Sequence, residues 1–569
     1  MSAHAPTTGK PGIAEAAIPV RTQPGLAELQ RSLETHFLSK LEYLNAIGIA
    51  LSQERDINKL LETILIAAKN LTHADGGTLY RLVDGKLQFE IVRTDSLSIA
   101  MGGSSGNPVP FYPIPLHKDG EPNTTMIAAY AAITHKTVNV ADAYTEEGFD
   151  FSGTRNFDKR TGYRSTSFLT VPMKNHEGDI IGVLQLLNAT DPATGRVTVF
   201  GEEDQRLAES LASQAAIALT NRLLIQQLEV LFESLIELIN TAIDDKSPYT
   251  GGHCKRVPVL TMMLAEAAHN ATAGPLGEFR MSEKDRYELK IAGLLHDCGK
   301  ITTPVHVVDK ATKLQTIYDR IENVATRFEV LKREAEIDML RAKAKALEAH
   351  DEQSVRRAEE EYAGRIRQYD DDREFLRRTN VGSERMRPED QARVSQIARY
   401  PLRNEKGEPD RFLSKDEEDN LNIAYGTLSG PERQIINHHI VATIKMLEAL
   451  PWPRHLLNVP EYAGGHHERM DGKGYPRGLT REQMSVQARV MGIADIFEAL
   501  TAKDRPYKPG KTLSESLGIL GRMKEGGHVD PDLFDIFVRD KVYLHYAREF
   551  LDPEQIDEVD ETRIPGFRP

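Results

Sequence analysis

Two short stretches decide how this chain folds: GLLHDCGK at residues 293–300 and HHERMDGKGYP at residues 466–476. Each places two ligand-type side chains together directly after apolar residues. A single histidine on an apolar helix face is more often a satisfied core residue than a ligand. The repeated pairs are harder to explain in this way, because burying several imidazoles and carboxylates without compensation is costly. A bound cation would compensate them, so the two stretches predict a metal centre in a helical region.

Histidine and aspartate recur around these stretches, at His253, in the pair His438-His439 and at Asp495. Imidazole and carboxylate ligands without thiolate suit manganese, iron, cobalt, nickel or zinc, and are poor ligands for structural zinc. Five imidazoles and two carboxylates exceed one tetrahedral site, and they can hold two metal ions if one carboxylate bridges them. Two ions about 3.5–4 Å apart suit phosphoester hydrolysis, because they bind phosphate oxygens and activate a bridging water.

Lys300 follows Asp297 by three residues and His296 by four. On one helical turn its ammonium group would share their face. A cation there would stabilise charge developing on a phosphate or help to protonate the leaving oxygen. The alternative is a surface lysine that follows a glycine.

The composition excludes several classes of protein. The chain has 569 residues, which favours two to four domains. Lys and Arg total 71 against 85 Asp and Glu, and the net charge of −14 argues against binding nucleic acid polymers or anionic membranes. Two cysteines are too few for a disulfide framework or a cysteine-rich zinc site. Because no run of about 18 apolar residues and no secretory signal are present, we expect a cytoplasmic protein.

The first half of the chain mixes helical and strand patterns. Residues 1–30 have little pattern and predict a disordered tail. Apolar residues between Leu60 and Leu71 have helical spacing. Strand-like runs follow at residues 78–82, 87–92, 167–172 and 180–187. With a closing helix from about Glu202, these elements predict an α+β domain over residues 31–220.

Apolar residues continue this closing helix at steps of four and three. This leucine seam consists of Leu224, Leu228, Leu231, Leu235, Leu238 and Ala242. It predicts a linker helix over residues 221–245, ended by Pro248. Two interpretations are open: a helix packed on its own domain, or a parallel coiled coil that pairs two chains in a homodimer.

A second feature of the later half is an insertion over residues 319–425. Its first part, residues 319–378, is rich in Glu, Arg, Lys and Ala and predicts a long amphipathic helix. A break at residues 350–354 would make it a helical hairpin. We assign it no chemistry.

The stretch from Lys246 to Asp552 resembles an HD-GYP domain, the all-helical metal phosphodiesterase branch of the HD superfamily. The resemblance rests on the His296-Asp297 doublet and on Gly474-Tyr475-Pro476 within the longer histidine string. We therefore expect an HD-GYP domain over residues 246–560. The resemblance implies hydrolysis of cyclic di-GMP to pGpG, with further cleavage to GMP in many members. It implies two divalent transition metal ions, iron or manganese.

The resemblance also assigns roles by position. The implied metal ligands are His253, His296, Asp297, His439, His466, His467 and Asp495. Asp297 is the implied bridging carboxylate and Lys300 the implied catalytic lysine. The implied substrate contacts are Arg505, Lys508, Gly474, Tyr475 and Pro476.

Two points of the resemblance remain: which histidine of the pair His438-His439 is the ligand, and how many ions the site holds. Members of the family usually carry threonine or a small residue four positions after the middle histidine and then a hydrophobic pair. Thr443 followed by Met446-Leu447 therefore favours His439 over His438. Some members bind a third ion through a glutamate that corresponds to Tyr249, whose phenol, with a pKa of about 10, is a poor ligand near pH 7. We therefore expect two ions.

The stretch from Leu41 to Leu219 resembles a GAF domain, a small-molecule sensor fold. The resemblance rests on ADGGTLY at residues 74–80 and GVLQLLN at residues 182–188. GAF domains that bind cyclic nucleotides carry Asn-Lys and then Phe-Asp. Here alanine follows Asn188 and glycine follows Phe200, so the small-molecule ligand of this domain is unknown.

Together these features predict a multidomain protein: an α+β GAF sensor domain followed by an all-α HD-superfamily metal hydrolase domain with a long helical insertion. The leading hypothesis is a cyclic di-GMP phosphodiesterase regulated by the GAF domain. Two alternatives are open. One is an HD-type hydrolase of another nucleotide. The other is a non-catalytic cyclic di-GMP receptor that acts through protein partners such as diguanylate cyclases.

Overall fold

A computed structural model of the chain describes residues 40, 42–247, 252–382, 385–503 and 510–568. The contacts divide the chain into two units, Met1–Leu231 and Phe232–Pro569. The predicted tail, Tyr249, Arg505 and Lys508 lie outside the described residues. Within the described ranges, no helix has the length and apolar character needed to cross a membrane.

The first unit is built on an antiparallel sheet. Its strands are β1 (Ala74–Val83), β2 (Lys86–Thr94), β3 (Ile99–Gly102), β4 (Ile114–Pro115), β7 (Val138–Val140), β8 (Phe168–Lys174), β9 (Ile180–Thr190) and β10 (Val197–Thr198). The order is β3-β2-β1-β9-β8-β7, with β10 beside β9 and β4 beside β2. A separate ribbon pairs β5 (His117–Lys118) with β6 (Glu121–Pro122). The four strand-like runs of the sequence lie almost entirely within β1, β2, β8 and β9.

Helices cover both faces of this sheet. They are α1 (residues 42–53), α2 (Ile57–Thr72), α3 (Ile127–Thr134), α4 (Ser152–Thr161) and the beginning of α5 (Glu202–Lys246). Successive residues of β1 serve the two faces, since Leu79 packs with α2 and α5 and Tyr80 packs with α3. A Cβ at Gly77 would lie 2.8 Å from Leu65 Cδ1, so glycine lets β1 approach α2 closely. The predicted α+β domain is confirmed.

Helix α5 is 45 residues long and ends at Lys246. Its later part contributes Ile236 and Ile243 to the core of the second unit. The leucines of the seam lie elsewhere on the helix surface. Their exposed fractions are 46% for Leu224, 64% for Leu228, 56% for Leu231, 50% for Leu235 and 64% for Leu238. Ile236 and Ile243 therefore pack in the core, whereas the seam leucines face solvent.

The second unit is largely helical. Its main helices are α6 (His253–Asn270), α7 (Glu283–Leu295), α8 (Val305–Val308), α9 (Ile321–Glu348), α10 (Glu352–Asn380), α11 (Pro388–Ile397), α12 (Lys415–Leu421), α13 (Gly430–Glu448), α14 (Val459–Gly464), α15 (Val486–Thr501), α16 (Leu513–Glu525), α17 (Pro531–Arg539) and α18 (Val542–Phe550). Capping boxes at Ser282 and Ser429 begin α7 and α13, because each serine satisfies a free backbone N–H. The main core joins α6, α7 and α15 to α18.

The insertion has a small core of its own. Helices α9 and α10 form a hairpin joined at residues 349–351, where the sequence indicated a break. Phe328, Leu376 and Phe412 are buried between them and the following segment. The insertion also holds a two-stranded sheet, β11 (Pro401–Arg403) and β12 (Pro409–Arg411). Strands of three residues are too short to show a recognisable alternation, so the sequence did not indicate them.

Candidate metal centre

Five helix ends or helix faces bring the seven predicted ligand side chains together. His253 begins α6, His296 follows α7, and Asp297 precedes a 3-10 helix over Cys298–Thr302. His439 lies on α13, His466 and His467 follow α14, and Asp495 lies on α15. All except His467 are buried, and His467 is half-buried. The spacing along the chain is wide, but the side chains occupy one interior site.

One group of donors forms on the α6 side. The ligand atoms of His253, His296 and Asp495 lie within 4.8 Å of one another. His253 Nε2 lies 3.1 Å from Asp495 Oδ1 and 3.1 Å from Asp297 Oδ2. His296 Nε2 lies 3.3 Å from the same Asp297 oxygen.

The other group forms on the α13 side, where His439, His466 and His467 approach one another equally closely. His439 Nε2 lies 3.3 Å from Asp297 Oδ1 and 3.2 Å from His467 Nε2. The two oxygens of Asp297 therefore face different histidine groups, which is the geometry of a bridging carboxylate. His438, the rejected candidate, is exposed.

Hydrogen bonds fix which ring nitrogens face the site. The Nδ1 atoms of His296, His439 and His466 donate to the backbone oxygens of Gly293 (2.7 Å), Ile436 (2.5 Å) and Ala463 (2.6 Å). Because each Nδ1 carries its proton, each Nε2 presents a lone pair. Such bonds to ring N–H groups are typical of metal-binding histidines.

Two buried atoms in this site have no hydrogen-bond partner among the described residues: His466 Nε2 and Asp297 Oδ1. An unsatisfied buried acceptor costs about 1–3 kcal/mol. The Nε2 lone pairs that converge here with carboxylate oxygens would be satisfied by bound cations. The residues present therefore fit a metal centre.

The protonation of two of the histidines, His466 and His467, agrees with this fit. Burial lowers the pKa of His467 to about 4. Burial, followed by the neighbouring His467, lowers the pKa of His466 well below its usual range. Both imidazoles are therefore neutral at pH 7, which is the form that binds a metal ion.

Lys300 contacts the centre through Asp297. Its Nζ donates to Asp297 Oδ2 at 2.5 Å. Burial opposes the charge, but Asp297 outweighs it and raises the pKa of Lys300, so the ammonium form is present at pH 7. The sequence suggested an α-helical turn here, whereas the lysine lies in the 3-10 helix after α7. Lys300 and Asp297 are three residues apart, so their side chains can meet in an α-helical or a 3-10 turn.

Gly299 explains how this turn reaches α13. A Cβ there would lie 2.0 Å from the His439 carbonyl oxygen and 2.6 Å from Thr443 Oγ1. The Gly299 N–H donates to Thr443 Oγ1 at 2.9 Å. Thr443, the residue that favoured His439 over His438, thus joins the turn after Asp297 to the helix that carries His439.

The loop after His467 is held from inside. Glu468 is buried and accepts hydrogen bonds from the backbone N–H groups of Arg477 at 2.7 Å and Leu479 at 2.9 Å. The Tyr475 ring stacks on His467 with centroids 4.9 Å apart and planes 21° apart. A Cβ at Gly474 would lie 2.3 Å from the Arg469 backbone nitrogen, so this tight loop requires glycine.

Glu498 is a part of the site that the sequence reasoning missed. Its carboxylate is buried, contacts His253 Nδ1 and accepts a hydrogen bond from Arg256 Nε at 2.7 Å. The available signal was its spacing, because a residue three positions after Asp495 lies on the same face of α15.

Family comparisons match both units. Residues 56–219 match the GAF domain. Residues 250–399 and residues 417–533 match two descriptions of the HD domain. The gap between the two HD matches, residues 400–416, falls within the insertion.

Three curated relatives align with parts of the chain. A 3'3'-cGAMP-specific phosphodiesterase of Vibrio cholerae is 44% identical over 81 residues, 14% of this chain and 19% of that protein. A cyclic di-GMP phosphodiesterase of Pseudomonas aeruginosa is 39% identical over 132 residues, 23% of this chain and 28% of that protein. A cyclic di-GMP phosphodiesterase of Thermotoga maritima is 32% identical over 162 residues, 28% of this chain and 39% of that protein. The alignments thus span well under half the length of each relative.

Proposed function

Because the chain combines a GAF domain with an HD domain, we propose that it is a metal-dependent phosphodiesterase that hydrolyses cyclic di-GMP to pGpG under the control of its GAF domain. The observation that carries the proposal is the position of Asp297, whose two oxygens face two separate groups of histidines. The substrate class comes from the names of the relatives, which are cyclic dinucleotide phosphodiesterases.

The proposed ligands are the seven side chains of the site, with Asp297 shared between two ions. Two divalent ions, iron or manganese, would supply Lewis acidity and an activated water for phosphoester hydrolysis. Asp297 and Asp495 contribute negative charge that suits two dications, and the histidines, which bind a metal ion in their neutral form, complete the donor set. The acidic net charge of the chain does not oppose an anionic substrate, because the centre itself would be strongly positive.

Lys300 is the proposed catalytic lysine. Its ammonium group lies at the edge of the centre, held by Asp297 at 2.5 Å. In this position it can stabilise the negative charge that develops on the reacting phosphate, and it can deliver a proton to the leaving oxygen.

The proposed substrate contacts are Gly474, Tyr475 and Pro476, together with Arg505 and Lys508 from outside the described residues. Tyr475 stacks on the proposed ligand His467, so a phosphodiester bound at the metal centre would lie beside its ring. The rigid support from Glu468 keeps this loop in place without the substrate.

The test is hydrolysis by the purified, metal-loaded chain. Cyclic di-GMP and 3'3'-cGAMP are incubated with the protein, and the products are separated by chromatography; a second substrate is included because one relative is named for it. We expect linear pGpG from cyclic di-GMP and no product from the metal-free protein. Tight binding without turnover would instead select the receptor hypothesis. Turnover of other nucleotides alone would select a different HD hydrolase.

The leucine seam supports a second part of the proposal, a homodimer. The seam leucines are about half exposed or more, although the adjacent face of α5 is packed. A parallel coiled coil would bury them. A small molecule bound to the GAF domain could then regulate the catalytic domain by its different affinity for two arrangements of the helix pair.

A further inference from the structure

A cavity of about 420 Å³ borders Tyr475 in the second unit. One wall is the loop of Gly426, Thr427 and Leu428, which directly follows the insertion. The other wall is the first two turns of α13, with Arg433, Ile436 and Asn437. None of the proposed metal ligands or the lysine lines it.

The cavity lies next to the candidate metal centre. Tyr475 lines the cavity and also stacks on His467 at 4.9 Å. Asn437 precedes His439 by two residues on α13, while His439 itself turns inward to Asp297. A group bound in the cavity is thus separated from the histidines by a single aromatic ring. We therefore expect that one substrate can reach both the cavity and the metal centre.

The wall formed by the loop is fixed in position. Thr427 Oγ1 donates to the Lys310 backbone oxygen at 2.8 Å. The Lys310 ammonium group is buried and donates to Glu432 Oε2 at 2.7 Å. Glu432 directly precedes Arg433 on α13. Lys310 therefore links the loop that follows the insertion to the start of α13, and these contacts hold the two walls of the cavity together.

The lining selects a flat, acceptor-rich group. Tyr475, Leu428 and Ile436 offer apolar surfaces for the faces of a planar ring. Arg433 carries five N–H donors and no acceptor. Among the described residues, one hydrogen bond engages it, from Nη2 to the Tyr425 backbone oxygen at 3.3 Å. Guanine presents two acceptors, O6 and N7, on one edge, whereas adenine replaces O6 with an amino donor that an arginine repels.

We propose that this cavity binds one guanine base of a cyclic dinucleotide, and that Arg433 selects guanine over adenine at that position. The inference rests on the proposed function, because the phosphodiester joined to this base is the one that reaches the metal centre. The loop that directly follows the insertion, residues 426–428, forms one wall of this base site.

The test compares kcat/KM for cyclic di-GMP, 3'3'-cGAMP and cyclic di-AMP in the wild type and Arg433→Gln, with cyclic di-AMP also measured as a competitive inhibitor. Glutamine cannot donate to both guanine acceptors, but it pairs with the adenine edge. We expect the variant to lose roughly tenfold in kcat/KM for cyclic di-GMP, mainly through KM. The preference for cyclic di-GMP over cyclic di-AMP should fall by a similar factor. Arg454→Gln, an exposed arginine of the same unit that does not line the cavity, is the control and should change neither value.

Two results would overturn the assignment while leaving the proposed function intact. An equal loss for all three substrates would mean that Arg433 contacts a phosphate group. No change in any substrate would mean that the cavity holds no base. The metal content of Arg433→Gln should equal that of the wild type, which excludes an indirect effect through the centre.

A failure of the proposed function is recognised separately. If the loaded wild type turns over no cyclic dinucleotide, that function is wrong, and equilibrium binding of GMP and AMP then tests the cavity alone. A preference for GMP that disappears in Arg433→Gln supports the guanine site. Equal binding of the two nucleotides by the wild type contradicts it.

Discussion

At the scale of single residues, Asp297 and Lys300 are in direct contact but have separable roles. Asp297→Ala removes the oxygens that face both histidine groups, so we expect loss of bound metal and of turnover. Lys300→Ala leaves every proposed ligand in place, so we expect normal metal content with kcat lowered by about 10²–10⁴-fold, the range for a lost proton-transfer group. Elemental analysis and steady-state kinetics on both variants check this. An Asp297→Ala protein with full metal and activity would contradict the assignment of the centre.

Glu498 supports a second prediction at this scale. Its buried carboxylate orients His253 through Nδ1 and is itself held by Arg256. Glu498→Gln keeps the size of the side chain but weakens its hold on the imidazole. We expect metal affinity, measured by competition with a chelator, to fall about 10–100-fold, the usual effect of losing such a supporting group. Glu515→Gln on the surface of α16 is the matched control, and equal affinities in the two variants would show that Glu498 has no positioning role.

Residue types and spacings could predict the candidate metal ligands, but not the contacts that orient their side chains. His296-Asp297 and His466-His467 can be recognised in the sequence because each places two ligand-type residues side by side after apolar residues. The contact between His253 and Glu498 joins residues 245 positions apart, so it depends on how α6 and α15 pack. Sequence patterns report local periodicity and carry no information on such distances.

At the scale of elements, the 3-10 helix Cys298–Thr302 packs closely against α13. This contact brings Asp297 close to His439. In Gly299→Ala the new Cβ would lie 2.0 Å from the His439 carbonyl oxygen, so the backbone must move. We expect a loss of about 1–3 kcal/mol in the free energy of unfolding, as in other overpacked cores, together with weaker metal binding. Thermal unfolding and elemental analysis measure the two effects.

Gly364→Ala is the matched control for this prediction. Gly364 lies inside α10, and nothing lies within 4 Å of a Cβ added there. Alanine is favoured over glycine in a helix interior by about 0.5–1 kcal/mol, so this variant should be slightly more stable. If the two alanine variants had the same stability, the close approach at Gly299 would not be a structural requirement.

The elements themselves were predictable to different degrees. The break between α9 and α10 could be located from polar residues around His350. The cavity beside Tyr475 could not be located, because its walls come from a loop, a helix and a turn whose residues have no common pattern. From composition alone the insertion resembles a solvated helix, whereas in the structure its last residue, Tyr425, accepts a hydrogen bond from Arg433 of the cavity wall.

At the scale of the whole molecule, the seam on α5 is an apolar surface that the single chain leaves about half exposed. Leu231 and Leu235 are 56% and 50% exposed. Burying a leucine contributes about 1.5–3 kcal/mol, so pairing the seam between two chains would stabilise a dimer. The seam is shorter than three heptads, so we expect contacts between the domains to add to the interface. We therefore expect a homodimer at micromolar concentration by light scattering.

The double substitution Leu231→Glu with Leu235→Glu places four carboxylates in the seam of a dimer and should give a monomer with normal metal content. Val230→Glu, which changes an exposed residue of the same helix outside the seam, should remain a dimer. A wild-type monomer, or a double variant that remains dimeric, would show that the seam does not pair two chains.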